Sequence, residues 1–182
     1  MSKDHKNKDK KNKGHKKAKK GKKSKKVEAS VESSNTVDIF VYGTLRPGQY
    51  NDTRTGLAAL ATGGILKNCT TKGAMYNRMG ESPVYPVVDT DMDGVIIGDL
   101  LMGIDPMSRE VEMTHNMEIG AGYEPRTVTI VKPDGLLTEA LIYNYTIGQP
   151  FRSPHGVAIP SGDWIAFVNE DARIDNEGVS VE

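Results

Sequence analysis

Cysteine is nearly absent: Cys69 is the only one in 182 residues. An intrachain disulfide is thereby excluded, and a lone thiol of this kind reads as a small buried hydrophobe rather than a nucleophile. Aromatic residues make up only 6% of the chain, with a single tryptophan, Trp164, which is expected in the core. No apolar run approaches the roughly 20 residues needed to cross a bilayer. There is no cysteine pair and no H-x3-H spacing, and His115 and His155 stand alone, so a zinc site is not expected. Gly120-x-Gly122 lacks the third glycine of a dinucleotide fingerprint. Asp89-Thr90-Asp91-Met92-Asp93-Gly94 opens like an EF-hand loop, but Leu100 stands where the bidentate Glu belongs, which leaves an acidic turn. A cytoplasmic protein without metal, cofactor or membrane span is the expectation.

Net charge is also absent, yet the zero is an average over two unlike parts. Residues 1–26 carry 14 Lys and two Asp, a charge of +12, and the rest of the chain carries −12. The basic part has no aromatic and almost no apolar residue, so it cannot bury enough surface to offset its ordering entropy. It is expected to be disordered, with residues 27–36 as a linker. Contact with nucleic acid or another polyanion is one reading of it, without base readout because nothing can stack. A solubilising or self-associating extension is the other, since the acidic remainder offers counter-charge.

What is present beyond residue 36 fits one domain, 37–170, followed by an acidic flexible C-terminus, 171–182. Val37, Ile39 and Val41 alternate with Asp38, Phe40 and Tyr42 and predict a strand. Further strands are expected at 73–76, 95–104, 126–131 and 137–145, with Tyr143 and Tyr145 on the face opposite Ile142. Pro133-Asp134-Gly135 predicts a hairpin turn. Short helices are expected at 53–62, ended by Gly63-Gly64, and from Asp163 to Val168. The class is α+β.

Asp105 to Gly120 has helix punctuation at both ends: Asp105 as cap, Pro106 at the first helical position and Gly120 as a left-handed terminator. At about 100° per residue, Met107, Val111, Met113, Thr114 and Met117 share one arc, and Arg109, Glu112, His115 and Asn116 the other. Glu118 falls in the apolar arc, as does Glu110 earlier in the helix. A carboxylate pointing inward costs free energy unless a partner or a function retains it. Burial raises its pKa, and the negative end of the helix dipole raises it further, as a general base near neutral pH requires. A core salt bridge to Arg126 is the alternative. Glu112, facing solvent, serves as the internal control.

The first strand runs into Tyr42-Gly43-Thr44-Leu45-Arg46-Pro47-Gly48. Gly43 permits a sharp bend after which peptide N–H groups converge on an oxygen, with Arg46 as a nearby cation. Together with Val41, Gln49 and Asn51, this stretch resembles the opening signature of the γ-glutamylcyclotransferase-like superfamily, which includes γ-glutamylamine cyclotransferases and AIG2-like and BtrG-like proteins. Gly73-Ala74-Met75-Tyr76 and Tyr85-Pro86-Val87-Val88 resemble its "G-x-L-Y … Y-P-x-V" stretch, and Val95 to Leu100 resembles its "V-x-G-E-L" strand. Met117-Glu118-Ile119-Gly120, with Gly122-Tyr123 and Arg126, resembles the segment holding its catalytic acid, and Ser161-Gly162-Asp163-Trp164 its "S-G-D-W".

The resemblance implies a small mixed β-barrel flanked by a few helices. It also implies cyclisation of a γ-glutamyl amine or γ-glutamyl amino acid to 5-oxoproline with release of the amine. Glu118 is then the general acid/base. Tyr42, Gly43, Thr44, Leu45 and Arg46 bind the substrate, and Tyr123 and Arg126 line or brace the pocket. Departures exist: Ile119 replaces the usual glycine after the acid, and Ala121 and Pro125 alter the loop. They leave open a binding protein of the same fold without catalysis, its basic tail contacting nucleic acid or another polyanion.

Overall fold

The computed structural model describes residues 35–78, 85–145 and 156–177, the last seven by their backbone alone. The readings for residues 1–34 and 178–182 lie outside the described residues. Five strands close into a barrel: β1 (Val37–Val41), β5 (Val95–Ile104), β2 (Gly64–Lys72), β6 (Glu124–Val131) and β7 (Leu137–Asn144), in that order. All pairs are antiparallel except β7 with β1, which run parallel with Ile39 opposite Leu141 and complete the mixed barrel. A second, three-stranded sheet has the order β4 (Tyr85–Asp89), β3 (Ala74–Arg78), β8 (Val157–Ala158). The fold class is α+β, as expected.

Alternation along β1 divides the interior into two cores. Phe40 and Tyr42 join Leu100, Ile130 and Ile142 in one, which also holds Trp164 and the fully buried Cys69. Ile39 and Val41 face the other way and pack with Leu45, Leu57, Leu101 and Ile104, against Val111 and Met117 of the helix α2 (Arg109–Gly120). Both faces of β1 are therefore buried, where the sequence showed one strongly apolar face. Each such side chain contributes about 1.5–3 kcal/mol when removed from water. The three tyrosines Tyr123, Tyr143 and Tyr145 form a third cluster with Val87, on the face of β7 opposite Ile142.

The first predicted helix is two shorter pieces, α1 (Tyr50–Thr55) and a 3₁₀ turn over Leu57–Leu60, because Gly56 adopts φ 72° between them. Strands β2, β4 and the two-residue β8 were not foreseen. Pro133-Asp134-Gly135 does join β6 to β7. Helix α3 (Trp164–Glu177) continues past Val168 and into the segment read as a flexible end. Asp163 begins it, its carboxylate accepting from Ile165 N at 3.1 Å. Among the described residues no helix is long and apolar enough to cross a membrane.

Candidate active site

Helix α2 starts one turn later than Asp105 and Pro106 suggested. Asp105 instead closes a tight turn, its carboxylate accepting from Met107 N at 2.9 Å and its carbonyl from Ser108 N at 3.2 Å. Ser108 is the N-cap, its hydroxyl accepting from Val111 N at 3.4 Å. Met107, assigned to the apolar arc, precedes the helix and is 86% exposed. Within the helix the pattern holds in part: Thr114 and Glu118 are buried and Glu112 is exposed, but Met113, also assigned to the apolar arc, is exposed.

The terminator is Gly122 with φ 93°, not Gly120, which is still helical. Gly122 N donates to Ile119 O at 3.0 Å and Tyr123 N to Glu118 O at 3.0 Å, the paired bonds of a Schellman motif. That motif turns the chain back over the residue it bonds. Tyr123 is thereby brought to the same cavity wall as Glu118, and its hydroxyl donates to Pro86 O at 2.9 Å.

The cavity has a volume of about 410 Å³. Glu118 and Tyr123 line it together with Tyr42, Gly43, Thr44 and Leu45. The amide N–H groups of Gly43, Thr44 and Leu45 donate to no protein group among the described residues. Such a run of unpaired donors is suited to an oxyanion or a carbonyl oxygen. Gly43 owes its identity to crowding rather than to a left-handed bend, since a Cβ there would lie 2.3 Å from Pro86 Cγ.

Glu118 is 9% exposed, and no donor or cation pairs with its carboxylate among the described residues. Burial pushes its pKa up to about 7. Burial also raises the neighbouring phenols, with the Glu118 charge adding to it: Tyr143 to about 12 and Tyr42 well above its usual value. The Tyr42 hydroxyl donates to Tyr143 O at 2.6 Å, which ties the turn after β1 to β7.

Two predicted site residues lie elsewhere. Arg46 is 6% exposed and bidentate to Asp99, through Nε and Nη2 at 3.1 Å each, while Nη1 reaches Asp163 at 3.0 Å. It locks three of the sequence signatures together beneath the turn and does not line the cavity. Arg126 pairs with Asp91 at 2.7 Å and also stands outside the cavity lining. The acidic turn around Asp91 sends a second carboxylate, Asp93, to Lys72 at 3.1 Å.

Sequence reasoning missed Asn51, Arg54, Arg78 and Tyr143, which all line the cavity. Asn51 belonged to the signature but carried no expected role. Tyr143 was placed on the correct face of its strand; what that face meets depends on barrel closure. Its hydroxyl lies 3.4 Å from His115 Nδ1, at the edge of α2. Among the described residues no cluster of three or more His, Cys, Asp or Glu side chains converges as a metal site.

Residues 39–166 match the family model described as gamma-glutamyl cyclotransferase, AIG2-like. The chain belongs to that family. Family membership rests on this match, which spans the barrel, the turn after β1 and Glu118. Among solved structures, YkqA from Bacillus subtilis is 25% identical with a TM-score of 0.48, the match covering 80% of this chain and 44% of that one. A protein of Arabidopsis thaliana solved in solution is 22% identical with a TM-score of 0.47, covering 81% and 91%. A mouse AIG2-like protein is 15% identical with a TM-score of 0.44, covering 66% and 86%. Comparison with curated proteins finds no match.

Proposed function

We propose that this member of the gamma-glutamyl cyclotransferase, AIG2-like family cyclises a γ-glutamyl amine or γ-glutamyl amino acid to 5-oxoproline, with Glu118 moving the proton. The observation that carries the reading is a buried, unpaired carboxylate of pKa about 7 sharing one cavity with three unpaired backbone N–H groups. A volume near 410 Å³ suits a small ligand. Arg54 and Arg78 in the same wall complement the carboxylates of a γ-glutamyl compound.

The substrate's α-ammonium cannot attack until it loses a proton. Glu118 takes that proton, the α-nitrogen bonds to the γ-carbonyl carbon, and charge grows on the carbonyl oxygen. The amides of Gly43 to Leu45 hold that oxygen. Glu118 then returns the proton to the departing nitrogen as the C–N bond breaks, and the second proton that the ring nitrogen must shed leaves with the amine, which departs as its ammonium. Ring closure is unimolecular, so holding the chain curled supplies much of the acceleration. A panel of γ-glutamyl amines and amino acids, assayed for 5-oxoproline, tests this. Wild type is expected to release it and Glu118→Gln to be strongly impaired; release by neither, or by both equally, refutes the mechanism.

A separate charge feature favours a second activity. The +12 carried by residues 1–26 suits a polyanion, nucleic acid included. Deleting 1–26 is expected to abolish salt-sensitive binding to duplex DNA while leaving 5-oxoproline release intact.

A further inference from the structure

Two arginines reach the cavity wall from different parts of the fold, and they sit at different depths. Arg78 ends β3 in the three-stranded sheet and is 8% exposed, its guanidinium 5.8 Å from the ring centre of Tyr145. Arg54 lies on α1, which packs beside α2, and is exposed. Its guanidinium lies over the Tyr50 ring, 5.4 Å from the centre and one helical turn along. Tyr50 is itself 54% exposed, so the ring buries little and serves to hold the arginine. Stacking engages only the flat face of a guanidinium and leaves the N–H donors on its edge available. Among the described residues no carboxylate pairs with that edge. Asp52, two residues away, instead accepts from Gly48 N at 2.8 Å and from Ala58 N at 3.0 Å.

From this we infer that Arg54 binds a carboxylate on the departing amine, and so selects γ-glutamyl amino acids over γ-glutamyl amines that lack an acid. The inference rests on the cyclisation reading above. Ring closure fixes where the parts of the substrate lie. The attacking nitrogen becomes a ring atom with two carbon neighbours. One carries the α-carboxylate; the other carries the carbonyl oxygen and the departing nitrogen. These groups therefore extend to opposite sides of the nitrogen that Glu118 serves. Glu118 and the amides of Gly43 to Leu45 hold the reacting centre inside, and the amine must leave toward solvent. The α-carboxylate then falls to the buried Arg78, and the departing amine passes the exposed Arg54. A departing amino acid bears its carboxylate on the carbon attached to that nitrogen, where a planar N–H fork can take both oxygens. An alkylamine of the same length offers the fork nothing.

The test compares γ-glutamyl-alanine with γ-glutamyl-ethylamide, which differs only in lacking that carboxylate. Release of 5-oxoproline is measured for wild type, Arg54→Met and Arg54→Lys. Arg54→Met is expected to lower kcat/KM for γ-glutamyl-alanine about 5- to 20-fold and for the ethylamide no more than about twofold, a modest range because the pair stands in solvent. Taking the ratio of the two compounds in each variant cancels any intrinsic difference between the amines as leaving groups. Arg54→Lys keeps the charge without the fork and is expected to retain part of the preference that Arg54→Met loses. Equal losses on both compounds in Arg54→Met overturn the assignment and put the arginine on the shared glutamyl half. A Lys variant with the same ratio as the Met variant also overturns it, because charge would then play no part. Activity on both compounds with a ratio unmoved by Arg54→Met refutes this proposal alone. Wild type inactive on both refutes the cyclisation itself, and this proposal with it.

Discussion

Two buried charged places lie on either side of the turn after β1, and they are built in opposite ways. Beneath the turn, Arg46 meets Asp99 in a fork and Asp163 beyond it, so every charge there has a partner. In the cavity, Glu118 is buried with none among the described residues. The first arrangement offsets the cost of desolvation and holds separated stretches of chain in register. The second leaves the cost standing, and its consequence is a carboxyl that titrates near 7. Buried charge alone is thus no sign of a site; what separates the two places is whether the fold neutralises it.

The contrast can be broken at either place. The largest effect is expected on activity: Glu118→Gln lowers kcat/KM for 5-oxoproline release by about 100- to 10,000-fold, the usual contribution of a general base. Next is the paired site. Asp99→Leu leaves the buried Arg46 guanidinium with Asp163 as its one remaining partner and is expected to cost about 3 kcal/mol in denaturant unfolding, with Arg46→Met added on top restoring much of the loss.

The third effect has the opposite sign. Native Glu118 keeps its proton up to about pH 7, whereas an unfolded chain releases it near about pH 4.3. Wild-type stability therefore falls as pH rises through that window and stays lower above it. Glu118→Gln, which mimics the protonated form, is expected to be more stable than wild type by on the order of 3 kcal/mol at pH 8. The difference should vanish by about pH 4, where both states are protonated. The smallest effect belongs to Arg126, whose pair with Asp91 sits at the surface. Arg126→Met is expected to change stability by no more than about 1 kcal/mol, and turnover by less than about twofold.

Which parts of this were legible in the sequence follows from what each depends on. The turn and Glu118 were, since one follows an alternating strand and the other breaks an apolar helical arc. The roles of Arg46 and Arg126 were not, because a cation near a turn looks the same whether it meets a substrate or a carboxylate from another strand. Strand β2 was hidden by its bulge: the register slips between Leu66 and Cys69, where Asn68 has φ 58°, and the two-residue period is lost. Strand β4 was hidden by Pro86 and by burial of nearly every residue, which removes alternation. Ser108 and Asp105 are both able caps, and only the extra turn at Asp105 decides between them. Asn51 needed the folded turn, since its bond to Thr44 and its place in the cavity lining join residues seven apart that no sequence period connects.

The pH dependence of kcat/KM for 5-oxoproline release tests the central claim most directly, with wild type and Glu118→Gln measured side by side. The wild-type rate is expected to climb to half its plateau near pH 7, as the carboxyl loses its proton. The variant is expected to lie far below it with that inflection gone. A wild-type profile with no inflection between about pH 6 and 8, or a variant matching wild type, contradicts the assignment of Glu118 as the base.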